Sequence, residues 1–351
     1  MNIPLIINAL IMFSLAFAIS SICIPLIIKI AKRKELFSEI GGRHIHTRLI
    51  PRLGGIAILL GFIVSQLYFI LELPFSRDPM EAYYLLIFSI LVLFLLGLLD
   101  DMVNIKPNLK FFIQLLVAII LVWRADIRID SFFGIFGIHD LPLSISYAFS
   151  ITVIVFFVNA YNIIDGLDGL SCSVGLYVLA CFTLIFMFNK IHIDTMLSFS
   201  AMGCLFGFWL FNKPPAKIFM GDSGTLSIGL LLAYFSIKVS NLPLDYNGTF
   251  NPVFAMVVLA YPVIDTLRVF VRRISNGKSP FSADRNHIHH ALYDLNLGHA
   301  KSTAIVILCS FILTVIAYVL RSYHNLSFFI MVSLILLISQ IPFILLNSKN
   351  K

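Results

Sequence analysis

The chain alternates long apolar runs with short polar breaks, and that alternation leaves few architectures open. Eleven runs stand out, at roughly 5–28, 54–71, 83–99, 107–123, 147–163, 172–189, 195–211, 225–240, 252–271, 303–320 and 327–347. Each comes close to the ~20 apolar residues an α-helix needs to cross a bilayer. In hydrocarbon every backbone N–H and C=O must be satisfied within the protein, and a helix does this alone. The expected fold class is therefore all-α: a polytopic transmembrane helical protein with about eleven spans. Composition agrees, because only 12% of the residues are charged, against ~25% in an average soluble chain. With 59% hydrophobic residues and a mean hydropathy of +0.96, no soluble core could hide the apolar surface.

Charge placement gives an expected orientation. No basic residue precedes the first run and the first charge is Lys29, so the start reads as a first span with its N-terminus outside rather than a cleavable signal. On that topology roughly 19 of the 25 Lys and Arg residues fall on the cytoplasmic side and 6 outside, and the C-terminus is cytoplasmic. The net charge of +7 then reflects topology, anionic lipid and anionic substrate, not nucleic acid. Cys23, Cys172, Cys181, Cys204 and Cys309 are scattered in apolar stretches and suggest neither a disulfide framework nor a zinc site. In the outer gap 124–146, alternation and glycines between Ser131 and Gly137 predict a short hairpin.

The polar motifs all fall on the cytoplasmic side of this topology. The central one is Asn159-Ala-Tyr-Asn-Ile-Ile-Asp-Gly-Leu-Asp-Gly-Leu-Ser171, at the mouth of an apolar run. Acids at such a mouth are costly and read as functional. Asn162, Asp165 and Asp168 are spaced by three, which on a helix places them on one face. The third run ends in Asp100-Asp101. Two adjacent acids repel each other when buried and ionised, and a helix C-terminus gives them no capping role, so they suit a general base or a metal ligand. Lys110 follows at the start of the fourth span, able to snorkel or to reach a phosphate.

Three further loops carry similar chemistry. Gly41-Gly-Arg-His-Ile-His-Thr-Arg48 and Pro51-Arg-Leu-Gly-Gly55 mix glycine with cations, as an anion site does, or as a basic loop that only fixes topology does. Phe219-Met-Gly-Asp-Ser-Gly224 stands at a predicted helix start beside Lys217, where Asp222 or Ser223 could cap and the helix N-terminus could hold an anion. Asp284-Arg-Asn-His-Ile-His-His290 places three histidines within four positions, suited to a metal or to a pyrophosphate, and phosphate contact is the preferred reading. The chain reads as one integral-membrane domain over 1–351, with loops 29–53, 100–110, 163–171, 212–224 and 272–302 forming the active site.

In this order, Pro51-Arg-Leu-Gly-Gly55, Asp100-Asp101, Lys110-Phe-Phe-Ile-Gln114, Asn162 to Leu170, Phe219 to Gly224 and Asp284 to His290 resemble the polyprenyl-phosphate N-acetylhexosamine-1-phosphate transferases, of glycosyltransferase 4 type. That family starts teichoic acid, enterobacterial common antigen and O-antigen synthesis and includes the translocase making lipid I. The lipid I translocases carry three consecutive histidines, whereas Ile288 interrupts the run here and Arg285 and Arg272-Arg273 accompany it, which looks like the UDP-N-acetylglucosamine branch. The resemblance implies transfer of HexNAc-1-phosphate from a UDP-sugar to undecaprenyl phosphate, with Mg²⁺ (or Mn²⁺ in its place), at the inner membrane of a bacterium, by a possible homodimer. It implies Asp222 and Asn162 as metal ligands with Asp165 beside them, and Asp100 as the base or orienting group with Asp101 its partner. Arg52, Lys110, Arg285, His287, His289 and His290 would hold phosphates, while Phe219 and Asp168 would meet the uridine. The alternatives are lipid I-type transfer of phospho-MurNAc-pentapeptide, a different lipid-phosphate enzyme, and a proton-coupled transporter. Transport is disfavoured because no repeat is visible and the acids sit at one face rather than at the midplane.

Overall fold

The computed structural model describes residues 3–34, 50–72, 80–245, 248, 252–279 and 286–349. The first-loop motif 41–48 and Asp284-Arg285 lie outside them. Among the described residues the chain runs α1 (Ile3–Arg33), α2 (Gly54–Glu72), α3 (Met80–Val103), α4 (Pro107–Arg124), β1 (Ser131–Ile135), β2 (Ile138–Asp140), α5 (Leu143–Ile163), α6 (Leu170–Phe188), α7 (His192–Asn212) and α8 (Gly221–Ser240). It continues through α9 (Pro252–Val258), α10 (Ala260–Ser275), α11 (Ile288–Leu292), a π-helical turn (Tyr293–Leu297), α12 (Gly298–Val319) and α13 (His324–Lys349). Ten of these helices are long and apolar enough to cross a membrane, with α11 to α12 taken as one, and there are eleven if the bent pair α9 and α10 is one span. The chain is a multi-pass, all-α membrane protein.

The expected span at 252–271 is therefore corrected to two helices meeting at Leu259 with a 76° bend. Pro262 explains the break: it has no N–H for the carbonyl of Val258, and its ring would crowd that carbonyl in a continuous helix. The expected hairpin is present as β1 and β2, antiparallel with Ser131 opposite Asp140. It is pinned to α13 by the Phe136 N–H donating to Asn325 Oδ1 at 2.7 Å and by the ring of Phe136 on Phe328 and Phe329.

At the centre stands α8, buried along nearly its whole length. Its first turns are Gly221-Asp-Ser-Gly-Thr-Leu-Ser-Ile-Gly229, and small residues let α2, α3 and α5 pack close against it. The hydroxyls of Thr225 and Ser227 bond back to Gly221 O and Ser223 O, so they cost little in an apolar setting. The apolar faces of α1, α3, α12 and α13, with Leu26, Leu95, Leu308 and Leu337 exposed, form lipid-facing surface. Where α9 bends away, it leaves an apolar cavity of about 420 Å³ between α5, the hairpin and α13, lined by Phe149, Phe156, Met256, Leu259, Val263 and Phe328.

A candidate active site at one end of the bundle

The C-terminal ends of α3 and α5 and the starts of α4 and α8 meet at one end of the bundle, and they bring the acids together. Asp101, in the last turn of α3, accepts from the N–H of Asp222 at 2.8 Å, the N–H of Ser223 at 3.0 Å and the hydroxyl of Ser223 at 2.9 Å. A helix start leaves several N–H groups without partners and carries partial positive charge. Asp101 supplies both the acceptor and the negative charge, as a cap donated by another helix. Gly221 permits this closeness. Its φ is +71°, and a Cβ there would run into the carbonyl of Arg52 and the carboxylate of Asp101.

Asp100 faces the other way. Its Oδ1 accepts from the Ile105 N–H at 2.8 Å and its Oδ2 takes the Lys110 ammonium at 3.2 Å. Lys110 also makes a short ion pair with Asp222, so one cation bridges carboxylates from two helices. Asn162 closes the layer, its Nδ2 3.1 Å from Asp222 Oδ1 and 2.6 Å from Thr225 Oγ1.

Sequence spacing suggests Asn162, Asp165 and Asp168 on one helical face, but the structure corrects this. The α5 helix ends at Ile163, α6 begins at Leu170, and both aspartates lie on the turn between. Asp and Gly side by side favour such a turn. Asp165 accepts a short hydrogen bond from Ser171, and burial pushes its carboxyl up to about 6, with Asp222 and Asp168 adding to the rise and Arg52 opposing it. Asp168 is buried, and its Oδ2 accepts from the Ala216 N–H at 2.9 Å, tying the turn to the 213–220 loop. The first loop joins the same loop by backbone pairing: Phe219 N–H to Pro51 O at 2.9 Å, and Gly54 and Gly55 N–H to the carbonyls of Phe219 and Met220. Arg52 and the half-buried Phe219 thereby stand beside the acids, whereas Lys217 is exposed.

The histidines form a second group. His287 Nδ1 lies 2.9 Å from Asp265 Oδ2, and the Ile288 N–H donates to Asp265 Oδ1 at 2.7 Å. His289 is buried, with Nδ1 3.5 Å from the same carboxylate and 3.3 Å from the Tyr261 hydroxyl. Its Nε2 edge rests on Gly166, where a Cβ would meet it at 2.5 Å, which brings the late loop against the Asp165–Asp168 turn. The His290 ring lies tilted against that of His289, with centroids 4.3 Å apart. Asp265 and His299, which meets Asp168, escaped the sequence reading. An acid inside the apolar run 252–271 is a signal that could have found Asp265, but nothing in the sequence marks His299.

Among the described residues, no three His, Cys, Asp or Glu side chains converge as a metal centre. What gathers at Asp222 is mainly carboxylate: Asp100 shares Lys110 with it, Asp165 lies close enough to repel it, and the Asn162 amide meets it through Nδ2, its oxygen being the atom a cation would take. These are hard ligands of the kind Mg²⁺ takes, and the Lys110 ammonium already bridges two of them as a cation. The donor set fits.

Comparison with known proteins points the same way as the geometry. The sequence profile described as glycosyl transferase family 4 matches residues 83–240. The chain is similar to the probable undecaprenyl-phosphate N-acetylglucosaminyl 1-phosphate transferase of Bacillus subtilis, 33% identical over 347 residues, covering 96% of this chain and 93% of the relative. It is also similar to the undecaprenyl-phosphate alpha-N-acetylglucosaminyl 1-phosphate transferases of Thermotoga maritima, 31% identical over 79% of each chain, and Escherichia coli K12, 26% identical over 88% of this chain and 83% of the relative.

Proposed function

The chain belongs to glycosyl transferase family 4, and on that premise we propose that it transfers N-acetylglucosamine 1-phosphate from UDP-N-acetylglucosamine to undecaprenyl phosphate, releasing UMP. The observation that carries this reading is the convergence of Asp100, Lys110, Asn162 and Asp222 from four helices at one end of a membrane bundle. In the reaction an oxygen of the lipid phosphate bonds to the β-phosphorus of the donor, and the bond from that phosphorus to the bridging oxygen breaks, leaving with UMP. Such transfers need positioning and charge neutralisation more than covalent help. Direct attack is the route proposed, without a phospho-aspartate.

The residues divide the work. Asp100 takes a proton from the lipid phosphate or orients it, and Lys110, released from its carboxylates, meets phosphate oxygens. Asp222 and Asn162, with Asp165 beside them, would hold Mg²⁺, which when bound neutralises charge on the donor pyrophosphate. Asp101 fixes the start of α8, and hence Asp222. Asp265 holds His287 by one ring nitrogen, leaving the other to face an anion, with His289 and His290 alongside and Arg52 and Arg285 adding charge. Phe219 would stack on the uracil, with Asp168 as its polar neighbour. The cavity beside α5 suits the polyprenyl tail, because Phe156 lines it about two turns from Asn162 and its lining is apolar apart from Ser236 and Ser240. The excess of Lys and Arg motivates N outside, C inside and a site on the cytoplasmic face of the inner membrane.

Purified enzyme should release UMP from UDP-N-acetylglucosamine only when undecaprenyl phosphate is present. A transporter would release none, and release only from UDP-MurNAc-pentapeptide would move the protein to the lipid I branch. In a background without native cysteines, Asp140→Cys should label from outside and Lys278→Cys should not, and the reverse would overturn the topology.

A further inference from the structure

A π-helical turn interrupts the chain between α11 and α12. Inside it Asn296 has φ +67°, and Gly298 follows at +69°. Asparagine and glycine adopt this left-handed backbone readily, and here they kink the chain between the two helices. The turn aims one side chain. The imidazole of His299, in the first turn of α12, reaches the loop between α5 and α6, and its Nδ1 stands 3.1 Å from the backbone nitrogen of Asp168. Tyr293, at the start of the same turn, packs edge-on to that ring at 5.0 Å.

A backbone N–H can only donate, so His299 Nδ1 must accept, which fixes the neutral ring with its proton on Nε2. The Asp168 carboxylate is held elsewhere, by the Ala216 N–H at 2.9 Å, and its Oδ1 is 3.8 Å from the same imidazole nitrogen. One residue is thus clamped twice, by α12 through its backbone and by the 213–220 loop through its side chain. Three residues earlier stands Asp165, and Gly166 between them carries His289. The clamp therefore sets the height of the turn on which the donor-side groups sit.

We propose that His299 is a positioning residue for the nucleotide-sugar donor: by accepting the Asp168 N–H it seats the Asp165–Asp168 turn against the late histidine loop. This rests on the transferase reading above. His299 reaches the site through Asp168, on the donor-side turn, so the effect falls on the donor.

The test uses full-length enzyme in detergent, with donor and acceptor KM and kcat measured for His299→Ala, His299→Asn and His299→Gln. Asparagine places an acceptor oxygen near the Nδ1 position, whereas glutamine reaches only toward Nε2. Loss of one part-buried hydrogen bond corresponds to about tenfold. His299→Ala and His299→Gln should raise the KM for UDP-N-acetylglucosamine about tenfold with the acceptor KM unchanged, and His299→Asn should restore it to within about threefold. Equal behaviour of the Asn and Gln variants, or an equal rise in both substrates' KM, overturns the proposal. If the alanine variant does not fold, the Asn and Gln pair still decides. Wild-type enzyme that fails to release UMP refutes the transferase reading instead, and wild-type turnover with an unaltered His299→Gln refutes only the role of His299.

Discussion

The acid layer and the histidine group solve opposite problems with the same ingredients. Around Asp222, carboxylates gather and a lysine neutralises them. Around Asp265, one buried carboxylate holds two imidazoles, His287 with its other nitrogen turned to an anion and His289 with its other edge on the Gly166 turn. In the first group the protein supplies negative charge to be matched by a cation. In the second a buried acid holds bases in place. The first is built on the ends of long helices that cross the bundle, and the second on a bent span and a five-residue helix. The difference predicts that damage to the acid layer stops chemistry, while damage to the histidine group weakens donor capture.

The sharpest way to break that contrast is Asp222→Asn. The variant should fold and lose activity by several decades, since a cation held at such a centre supplies several kcal/mol to the transition state. Near-normal UMP release from folded Asp222→Asn removes this residue from the centre. Asp100→Asn comes next, with kcat lower by about 10²–10⁴ and donor affinity kept in a binding titration. If donor binding disappears together with turnover, Asp100 belongs to the donor or cation site. His289→Ala should raise donor KM and lower kcat/KM by about ten- to a hundredfold, the scale of a charge-assisted phosphate contact. Combined with Asp265→Asn the two losses should be less than additive, because Asp265 holds His289 as well as His287; full additivity would separate them.

The smallest effect concerns stability. Asp165 ionises near 6 in the fold but near 4 in an unfolded chain. Between those values the folded state binds more protons, so metal-free stability falls as pH rises from about 4 to 6 and stays lower above. Asp165→Asn removes that loss. Without divalent ions it should be more stable at pH 7.5 by about 1–3 kcal/mol, with no gain at pH 3.5 and with activity lost. A thermal-unfolding series over pH checks this, and a gain that persists at pH 3.5 would assign it to some other cause.

The spans were legible because a membrane permits few solutions for the backbone, and a run of apolar residues near the bilayer's thickness states the answer locally. The break at Leu259 was masked because hydropathy runs on through 252–271, although Pro262 in the middle of that run is the signal of it. Spacing by three misled at Asp165 and Asp168, where Gly166 and Gly169 favour a turn over a helical face. Asp101 looked like half of an acidic pair. Its partners, the N–H groups of Asp222 and Ser223, lie more than a hundred residues away and could not be read from its neighbours. His299 was hidden for the same reason, since the N–H it accepts belongs to Asp168.

The burial of α8 has a consequence for how the protein is made. It is the least apolar of the spans, rich in glycine and hydroxyls, with an aspartate in its first turn, and almost none of it touches lipid. A segment like this leaves a translocon poorly when it must dissolve in lipid alone. The helices that cover most of it, α2, α3, α5 and α6, precede it in the chain and are present when it emerges, while α9 follows. Its entry into the membrane should therefore depend on those helices, and deleting any one of them should strand α8 in water.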